Sequence, residues 1–479
     1  MEKGQNLISG TWVNSKSEDI IQLINPSDGG NFASIPRSGA IDIDLAAKSA
    51  RRAFDKHWSK TPAFERGKYL QKISNKIYES IDELAIIESK DTGKPLKQSR
   101  VDAQVAARYF EFYAGAADKI HGEVIPSQQG INSFTKREPH GVTGHIIPWN
   151  YPLQMGSRTF AASLAAGNCV VIKPAEEACL SVLKIANFAI ELGLPPDVIN
   201  IVTGYGDETG AYLCKHRDID HVCFTGSPEV GSLVQQSVAL SNKSCTMELG
   251  GKSPHIVFSD CDLENAMPVI LNSIIQNSGQ TCSAGSRLII DKDIKEKFLN
   301  LFTEKFSNLL VGSSDMDLDM GPLISERQKN RVLSFYDKAK KESIPILAAG
   351  SISEQVSKNG FYVNPLLLGP VPVNSTLATD EIFGPYLCVI PFSNEDEAVS
   401  IANGTDYGLT AGIWTKDGSR QMRVANSLKC GQVFINCYGA GGGVEIPFGG
   451  MKKSGFGREK GMEGLRELTV CKTIVQKFN

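Results

Sequence analysis

The chain has 479 residues, and this length is typical of roughly two or three domains rather than of a small binding module. Fifty Lys and Arg residues oppose 53 Asp and Glu residues, which gives a formal net charge of −3. Nucleic acids and anionic membranes are therefore not expected partners, because both need a basic surface. No apolar stretch reaches the roughly 18 to 20 residues of a membrane helix, and the first residues lack the apolar block of a signal peptide. We expect a cytoplasmic protein with a small-molecule partner.

The 11 cysteines do not have the pattern of a disulfide framework or of a metal site. Their number is odd, they all lie between Cys169 and Cys471, and no two of them form a Cys-x-x-Cys pair. We expect most of them to be small buried hydrophobic side chains in a reducing compartment. No metal site is predicted.

The chain begins with a mainly helical region and then changes character. Apolar residues such as Leu70, Ile73 and Ile77 recur at steps of three and four between residues 46 and 113, as they do in amphipathic helices. Between residues 119 and 140 this period stops. The polar segment 123–135, interrupted by Gly and Pro, predicts a β-hairpin that leaves the domain.

From Gly141 onward, short β-branched runs alternate with helical stretches. The predicted strands are residues 143–147, 170–172, 199–202, 219–224 and 246–249. Their spacing of roughly 20 to 30 residues is typical of βαβ units in a parallel sheet, whose ligands bind at the carboxyl ends of the strands. A second alternating series, from Pro254 to about Val433, predicts another α/β domain. The last segment, residues 468–478, alternates like an exposed edge strand that needs a partner.

Three glycine clusters follow predicted strands and could cradle a phosphate. They are residues 204–210, 224–231 and 250–251. The first cluster is too long for the dinucleotide fingerprint, and no lysine follows it as in a P-loop. Ser227 and Pro228 predict an N-cap and first turn, where a helix N-terminus could face a pyrophosphate. Tight turns of an α/β sheet explain each cluster equally well.

Lys173 and Glu176 directly follow a predicted buried strand. A carboxylate at such a strand end can accept hydrogen bonds from both hydroxyls of an adenosine ribose. Its charge would repel a 2′-phosphate, which favours NAD over NADP. The alternative is a solvated pair of charges in a loop.

Cys282 is the candidate nucleophile, because it lies in a polar, Gly-rich break, residues 277–285, directly after an apolar run. Earlier in the chain, Glu248 ends a predicted buried strand, where desolvation would raise its pKa toward that of a useful base. A surface carboxylate is the alternative for Glu248. An ordinary thiol of pKa about 8.5 is already a few per cent ionised near neutrality, so complete ionisation is expected to gain at most roughly one and a half decades in rate.

A series of motifs in a fixed order extends this interpretation over nearly the whole chain. The motifs are residues 148–152, 173–176, 224–227, 247–254, 279–282, 381–385 and 447–455. In this order they resemble the motifs of the NAD(P)-dependent aldehyde dehydrogenase superfamily. The resemblance identifies the superfamily much better than the individual member.

The resemblance implies a role for each candidate residue. Cys282 would form a thiohemiacetal and then a thioester, and Glu248 would activate the water that hydrolyses it. The side-chain amide of Asn150 and the backbone N–H of Cys282 would hold the oxyanion. Glu459 resembles a family glutamate considered for proton relay. The implied cofactor-binding residues are Ile146, Trp149, Lys173, Glu176, Gly206, Phe224, Ser227, Gly250, Glu381 and Phe383.

Tyr151, Arg158 and Tyr438 are the candidates for contact with the substrate. By resemblance, Arg158 stands where many members carry Trp and several semialdehyde and benzaldehyde-type members carry Arg. A cation there would repel a quaternary ammonium substrate and could bind a carboxylate, although a salt bridge on a helix surface explains it equally well. The Gly-rich segment 436–445 implies a mobile entrance.

The expected fold is α/β, with two Rossmann-like parallel-sheet domains, one for the cofactor and one for catalysis, and a small β oligomerisation arm. Residues 1–118 and 141–250 would bind NAD, residues 251–433 would carry the nucleophile, and residues 119–140 and 455–479 would form the arm. The strand edges of the arm would pair subunits into a homodimer or homotetramer.

The expected activity is NAD-dependent oxidation of an aldehyde, aromatic or carboxylate-bearing, to a carboxylic acid. A CoA-acylating semialdehyde dehydrogenase is one alternative, against which Glu248 speaks because hydrolysis needs a base. A catalytically retired member with a structural or binding role is the other alternative, although Cys282, Glu248 and Asn150 are all retained.

Overall fold

The computed structural model of the protein describes residues 2–439 and 442–478, so Ala440 and Gly441 of the predicted entrance lie outside the described residues. The α-helices are Ala40–Lys56, Ala63–Glu79, Ile81–Thr92, Leu96–Ala116, Pro152–Ala166, Leu180–Glu191, Ala211–Lys215, Pro228–Ala239, Leu263–Ile275, Lys292–Ser307, Glu326–Lys341, Thr376–Thr379, Glu395–Asn403, Gly418–Ser427 and Gly461–Glu467. The shorter helical turns are Trp58–Lys60, Gly206–Gly210, Gln276–Gly279 and Ser314–Met316. None of the described helices combines the length and the apolar character that crossing a bilayer requires.

A first sheet of eight strands contains the five strands predicted after Gly141. In spatial order its strands are Gly455–Phe456, Ser244–Glu248, His221–Thr225, Val142–Ile146, Cys169–Lys173, Ile199–Ile201, Asn6–Ile8 and Thr11–Val13. The five central strands are parallel, as predicted, while antiparallel strands complete both edges. The strands near the N-terminus are not apparent from the sequence pattern, because they are short and polar residues interrupt them.

A second sheet of seven strands follows along the chain. In spatial order its strands are Ile346–Ala349, Leu366–Leu368, Tyr386–Phe392, Arg287–Asp291, Pro254–Val257, Thr410–Trp414 and Gln432–Ile435. All neighbouring pairs are parallel except the first. The prediction of two parallel-sheet units is therefore confirmed. Helices cover these sheets, and apolar clusters of buried side chains fill the layers between them.

The predicted hairpin and the last strand form a three-stranded antiparallel sheet, in the order Thr469–Lys477, Ile131–Pro139 and Val124–Ile125. The start of the segment 455–479 does not belong to it: Gly455–Phe456 pairs with Ser244–Glu248 at the edge of the first sheet. Gly455 permits this pairing, because its φ is +109° and a Cβ atom there would lie 1.9 Å from the Met247 carbonyl oxygen.

Smaller sheets complete the fold. Glu2–Lys3, Asn31–Pro36 and Ile20–Ile24 form one, and the two-stranded pairs are Leu310–Val311 with Ser351–Ile352 and Tyr407–Gly408 with Met451–Lys452. The helices predicted between residues 46 and 113 are confirmed as a succession of separate helices rather than one long element. Gly93 ends one of them in the left-handed conformation, with a φ of +81°.

Candidate active site

Cys282 follows a strained turn at the end of the helix Leu263–Ile275. Asn277, Ser278 and Gly279 all have positive φ values, of 47°, 55° and 74°. A Cβ atom on Gly279 would lie 2.3 Å from the carbonyl carbon of Gly384, so only glycine fits. Left-handed non-glycine residues cost about 1 to 3 kcal/mol each and persist where the surroundings hold them, which is common at functional sites.

Hydrogen bonds from other segments hold this turn in place. Asn277 Nδ2 donates to the carbonyl oxygen of Asn150 at 2.8 Å, and Asn150 Nδ2 donates to the carbonyl oxygen of Gln280 at 2.9 Å. Ser278 Oγ donates to the carbonyl oxygen of Gly321 at 2.8 Å. The structure thus brings Asn150, which the sequence suggests as an oxyanion donor, against the turn that carries Cys282.

Cys282 faces a narrow cavity. Its lining residues are Tyr109, Tyr151, Gln154, Met155, Arg158, Thr281, Cys282, Ser283, Phe448 and Lys460. Two of the three substrate candidates, Tyr151 and Arg158, are among them. Tyr109, Phe448 and Lys460, which form other walls, were not among the predicted site residues, because they lie far from Cys282 along the chain and only Phe448 belongs to one of the motifs.

Tyr438, the third substrate candidate, holds the segment after Cys282 instead of lining this cavity. Its hydroxyl donates to the carbonyl oxygen of Ser283 at 2.7 Å and lies 2.7 Å from Thr410 Oγ1. Its ring centroid lies 4.4 Å from that of His255. The hydroxyl of Tyr438 is therefore engaged with protein atoms beside the nucleophile.

Burial raises the pKa of the Cys282 thiol to about 12, and the negative charges of Glu381 and Glu248 act in the same direction, while Arg158 opposes them. The Cys282 thiol is therefore harder to ionise in the enzyme without ligands than an ordinary thiol of pKa about 8.5.

Glu248 ends the strand Ser244–Glu248 and is only 1% exposed. Among the described residues, neither of its carboxyl oxygens has a hydrogen-bond partner. Burial, and next the nearby charge of Glu459, raise the pKa of Glu248 well above its usual value. The alternative of a surface carboxylate is therefore excluded.

Arg158 forms a buried ion pair with Glu459. The two side chains are 6% and 10% exposed, and the guanidinium carbon of Arg158 lies 5.8 Å from the centroid of the Phe448 ring. Arg158 thus forms a salt bridge, as the alternative to substrate contact expects, but the pair is buried rather than on a helix surface. The positive charge of Arg158 lowers the pKa of both Glu248 and Cys282, although burial outweighs it.

A much larger cavity, of about 830 Å³, opens at the carboxyl ends of the first sheet. Ile146, Glu176, Gly206 and Phe224 line it, so four of the cofactor candidates lie together. Lys173 is buried, and its Nζ lies 2.7 Å from Glu176 Oε2.

The helix Pro228–Ala239 begins beside this cavity, and its residues Val230 and Val234 belong to the lining. Ser227 Oγ accepts a hydrogen bond from the Val230 N–H at 3.4 Å, which confirms the predicted N-cap. Ser227 itself is exposed at the start of this helix.

The remaining cofactor candidates meet in pairs. Glu381 Oε1 accepts a hydrogen bond from the Gly251 N–H at 2.9 Å, and a Cβ atom on Gly250 would lie 2.2 Å from Glu381 Oε2. Burial raises the pKa of Glu381 to about 7. Phe383 has a φ of +59°, and its ring meets the ring of Trp149 edge-on, with 5.4 Å between the centroids. Glu381 is also close enough to the nucleophile for its negative charge to raise the pKa of the Cys282 thiol.

The other cysteines and the metal-ligating residues indicate no second centre of this kind. All 11 cysteines are free, and those that are fully buried are Cys169, Cys179, Cys214, Cys223 and Cys388. Within residues 2–439 and 442–478, no group of three or more His, Cys, Asp or Glu side chains is arranged to hold a metal ion.

Comparison with known proteins identifies the family. The model of the aldehyde dehydrogenase family matches residues 12–474. The chain belongs to this family. Human retinal dehydrogenase 2 is 40% identical over 476 residues, which cover 98% of this chain and 91% of that protein. The enzyme is accordingly an NAD(P)-dependent aldehyde oxidoreductase.

Solved structures agree with this assignment of family and fold. A putative aldehyde dehydrogenase from Burkholderia cenocepacia has 53% identity and a TM-score of 0.98, covering 99% of this chain and 100% of that one. The betaine aldehyde dehydrogenase of Staphylococcus aureus, solved in complex with NAD+, has 36% identity and a TM-score of 0.96, covering 99% of this chain and 95% of that one. The mixed α/β fold with parallel sheets is therefore that of aldehyde dehydrogenases.

Proposed function

We propose that this enzyme oxidises an aldehyde to a carboxylic acid with NAD, through a covalent intermediate on Cys282. The observation that carries the proposal is the position of the Cys282 thiol at a narrow cavity, close enough to the buried carboxyl of Glu248 for the charge of Glu248 to raise the pKa of the thiol. A nucleophile with a base of raised pKa near it is typical of acyl-transfer chemistry.

The first step joins the Cys282 sulfur to the carbonyl carbon of the aldehyde. The thiol gives its proton to solvent water, a C–S bond forms, and the π electrons of the C=O bond move onto the oxygen. Asn150 Nδ2 carries two N–H groups and donates to the Gln280 carbonyl at 2.9 Å, so its second N–H can donate to this oxyanion together with the Cys282 backbone N–H. NAD, when bound, supplies the acceptor for the hydride that leaves the same carbon.

The second step releases the acid. After loss of the hydride the carbon is a thioester on Cys282. The Glu248 carboxylate removes a proton from a water molecule, whose oxygen adds to the thioester carbon. The C–S bond then breaks, the electron pair returns to sulfur, and the carboxylic acid leaves. The raised pKa of Glu248 makes its carboxylate a stronger base than an ordinary glutamate, which suits this proton transfer.

NAD fits the residues of the large cavity better than NADP. Glu176 lines that cavity and can accept hydrogen bonds from both ribose hydroxyls, whereas its charge repels a 2′-phosphate. The exposed N-terminus of the helix that Ser227 caps can face the pyrophosphate. Glu381 lies against Gly250, and a side chain at position 250 would displace the Glu381 carboxyl. We assign Glu381, Phe383 and Trp149 to the binding of the nicotinamide ribose.

The substrate class follows from the walls of the narrow cavity. Tyr109, Tyr151 and Phe448 provide aromatic surface, and Arg158 provides positive charge. Arg158 is paired with Glu459, and we assign this cation to an acidic group of the substrate. We therefore propose an aromatic or carboxylate-bearing aldehyde, and we disfavour a quaternary ammonium aldehyde because the cation would repel it.

The substrate assignment is tested by a panel of neutral aliphatic, aromatic and carboxylate-bearing aldehydes with the wild type and Arg158→Met/Glu459→Gln, which removes one charge of each sign. Loss of a charge-assisted hydrogen bond is expected to lower kcat/KM for the carboxylate-bearing aldehydes by about tenfold or more relative to the neutral ones. An unchanged ranking of the aldehydes would remove Arg158 from substrate recognition.

The reaction itself is tested by NADH formation and product analysis. Cys282→Ser should abolish turnover, and Glu248→Gln should form about one NADH per active site and then stop, because the thioester is not hydrolysed. An acyl-CoA product on addition of CoA would favour the CoA-acylating alternative. If the protein binds NAD but forms no NADH with any of the aldehydes, the alternative of a catalytically retired family member is favoured.

We also propose the organisation of the whole molecule. Residues 1–118 and 141–250 form the NAD-binding domain, and residues 251–433 form the catalytic domain. The strand Thr469–Lys477 lies at one edge of its sheet and pairs only with Ile131–Pro139 within the described chain, so its other edge suits a second subunit in a homodimer or homotetramer. Free cysteines between residues 169 and 471 suit a reducing compartment such as the cytoplasm.

A further inference from the structure

A buried ionic cluster lies behind the active site, and no step of the reaction uses it. The Lys94 side chain is fully buried, and its Nζ lies 3.1 Å from Glu88 Oε1 and 2.6 Å from Asp102 Oδ2. These carboxylate side chains are also inaccessible to solvent. Apolar side chains of similar volume often stabilise a protein as well as a buried ion pair does, so stability alone does not explain the cluster.

Lys94 reaches the active site through Tyr151. Its Nζ lies 4.0 Å from the centroid of the Tyr151 ring, a cation–π contact that is strong when both groups are desolvated, as they are here. The Tyr151 hydroxyl lies 2.9 Å from Thr281 Oγ1, and Thr281 directly precedes Cys282. Lys94, Tyr151 and Thr281 therefore form a continuous line of contacts that ends at the nucleophile.

The same cluster positions a second wall of the cavity. Asp102 Oδ1 accepts a hydrogen bond from Gln154 Nε2 at 2.7 Å, and Gln154 lines the cavity with Tyr151. Glu88 Oε2 accepts a hydrogen bond from Ser181 Oγ at 2.7 Å, which ties the cluster to the helix Leu180–Glu191. The cluster thus contacts the helix Leu180–Glu191 on one side and the cavity residues Tyr151 and Gln154 on the other.

We propose that Lys94 is a positioning residue for the nucleophile. It holds the Tyr151 ring, whose hydroxyl holds Thr281, so that the Cys282 sulfur and backbone N–H meet the carbonyl carbon and oxygen together. The inference rests on the proposed role of Cys282. Because a displacement of about 1 Å at a reacting group can cost about 100-fold in rate, a support one residue away from the nucleophile affects catalysis.

The test uses a variant that keeps the net charge of the cluster unchanged. Lys94→Met alone would leave two buried carboxylates, whereas Lys94→Met/Asp102→Asn removes one charge of each sign and keeps an acceptor for Gln154 Nε2. Lys76→Met is the matched control, because the Lys76 ammonium also lies over a ring, that of Phe188 at 5.4 Å, on a helix away from the cavity. Each variant is compared with the wild type in NAD affinity and single-turnover hydride transfer.

We expect Lys94→Met/Asp102→Asn to slow hydride transfer about 10- to 100-fold while the Kd for NAD stays within about twofold. Tyr151→Phe, which removes the hydroxyl that contacts Thr281, should slow the same step. When the two changes are combined, their effects should be less than multiplicative, because they interrupt one line of contacts. A merely structural role for Lys94 would not produce this non-additivity.

Two results would overturn the inference: hydride transfer within twofold of wild type in the folded double variant, or fully multiplicative effects with Tyr151→Phe. If the double variant does not fold, Thr281→Val and Tyr151→Phe test the same line from its other end, and wild-type hydride transfer in both would overturn it. Cys282→Ser separates this inference from the proposed function. Turnover by Cys282→Ser would refute the proposed function. If Cys282→Ser is inactive and the Lys94 variant is fully active, only the role of Lys94 is refuted.

Discussion

The ionisation of Cys282 in the enzyme without ligands provides a quantitative prediction. With a pKa of about 12, only about one part in 10,000 of the thiol is ionised at pH 8, against about one quarter for an ordinary thiol of pKa about 8.5. A thiolate of higher pKa is more nucleophilic, which recovers roughly one and a half decades. Alkylation of Cys282 by iodoacetamide at pH 8 should therefore be about 50- to 100-fold slower than that of an ordinary thiol.

The measurement is the rate of alkylation of the Cys282 peptide by mass spectrometry between pH 7 and pH 10. Cys437 is exposed and serves as an internal reference in the same sample. The rate at Cys282 should rise about tenfold per pH unit without a plateau. Glu381→Gln should increase it at pH 8, because the charge of Glu381 raises the pKa of the thiol. Alkylation as fast as that of Cys437, with a plateau below pH 10, would refute the reasoning.

The other predictions concern groups around the two cavities. Asn150→Ala should slow single-turnover NADH formation by about 100- to 1,000-fold through loss of an oxyanion donor, and a loss below tenfold would contradict that role. Glu248→Gln should leave the first turnover measurable while steady-state turnover falls by about 100-fold or more; equal loss in both phases would argue for an earlier role. Glu176→Gln should raise the preference for NADP over NAD in kcat/KM by about tenfold, as one removed repulsive charge implies, and an unchanged ratio would place Glu176 away from the ribose. Arg158→Met should lower the free energy of unfolding by about 3 to 5 kcal/mol, measured with urea, because Glu459 is left buried without its partner. Arg158→Met/Glu459→Gln should recover most of the lost free energy of unfolding. If it does not, the loss comes from packing rather than from the unpaired charge.

Local patterns in the sequence were sufficient for the frame of the molecule. The alternation of β-branched and helical runs predicted the five central strands of the first sheet, because the period of apolar residues follows directly from backbone geometry. Ser227 and Pro228 predicted the start of a helix, because a cap and a first turn involve only neighbouring residues. The order of the motifs indicated the family, since each motif is a short continuous segment.

Contacts between distant segments decided the rest, and no local pattern contains them. Arg158 looks like a residue on a helix surface until the fold buries it against Glu459. Lys94 belongs to an unremarkable helix boundary until packing places its ammonium 4.0 Å from the Tyr151 ring. The pKa of Cys282 could not be read from its neighbours in sequence, because desolvation and charge depend on everything that surrounds the thiol in space. The sequence by itself determined which residues are chemically able to react, whereas the tertiary structure decided their solvation, their charges and their partners.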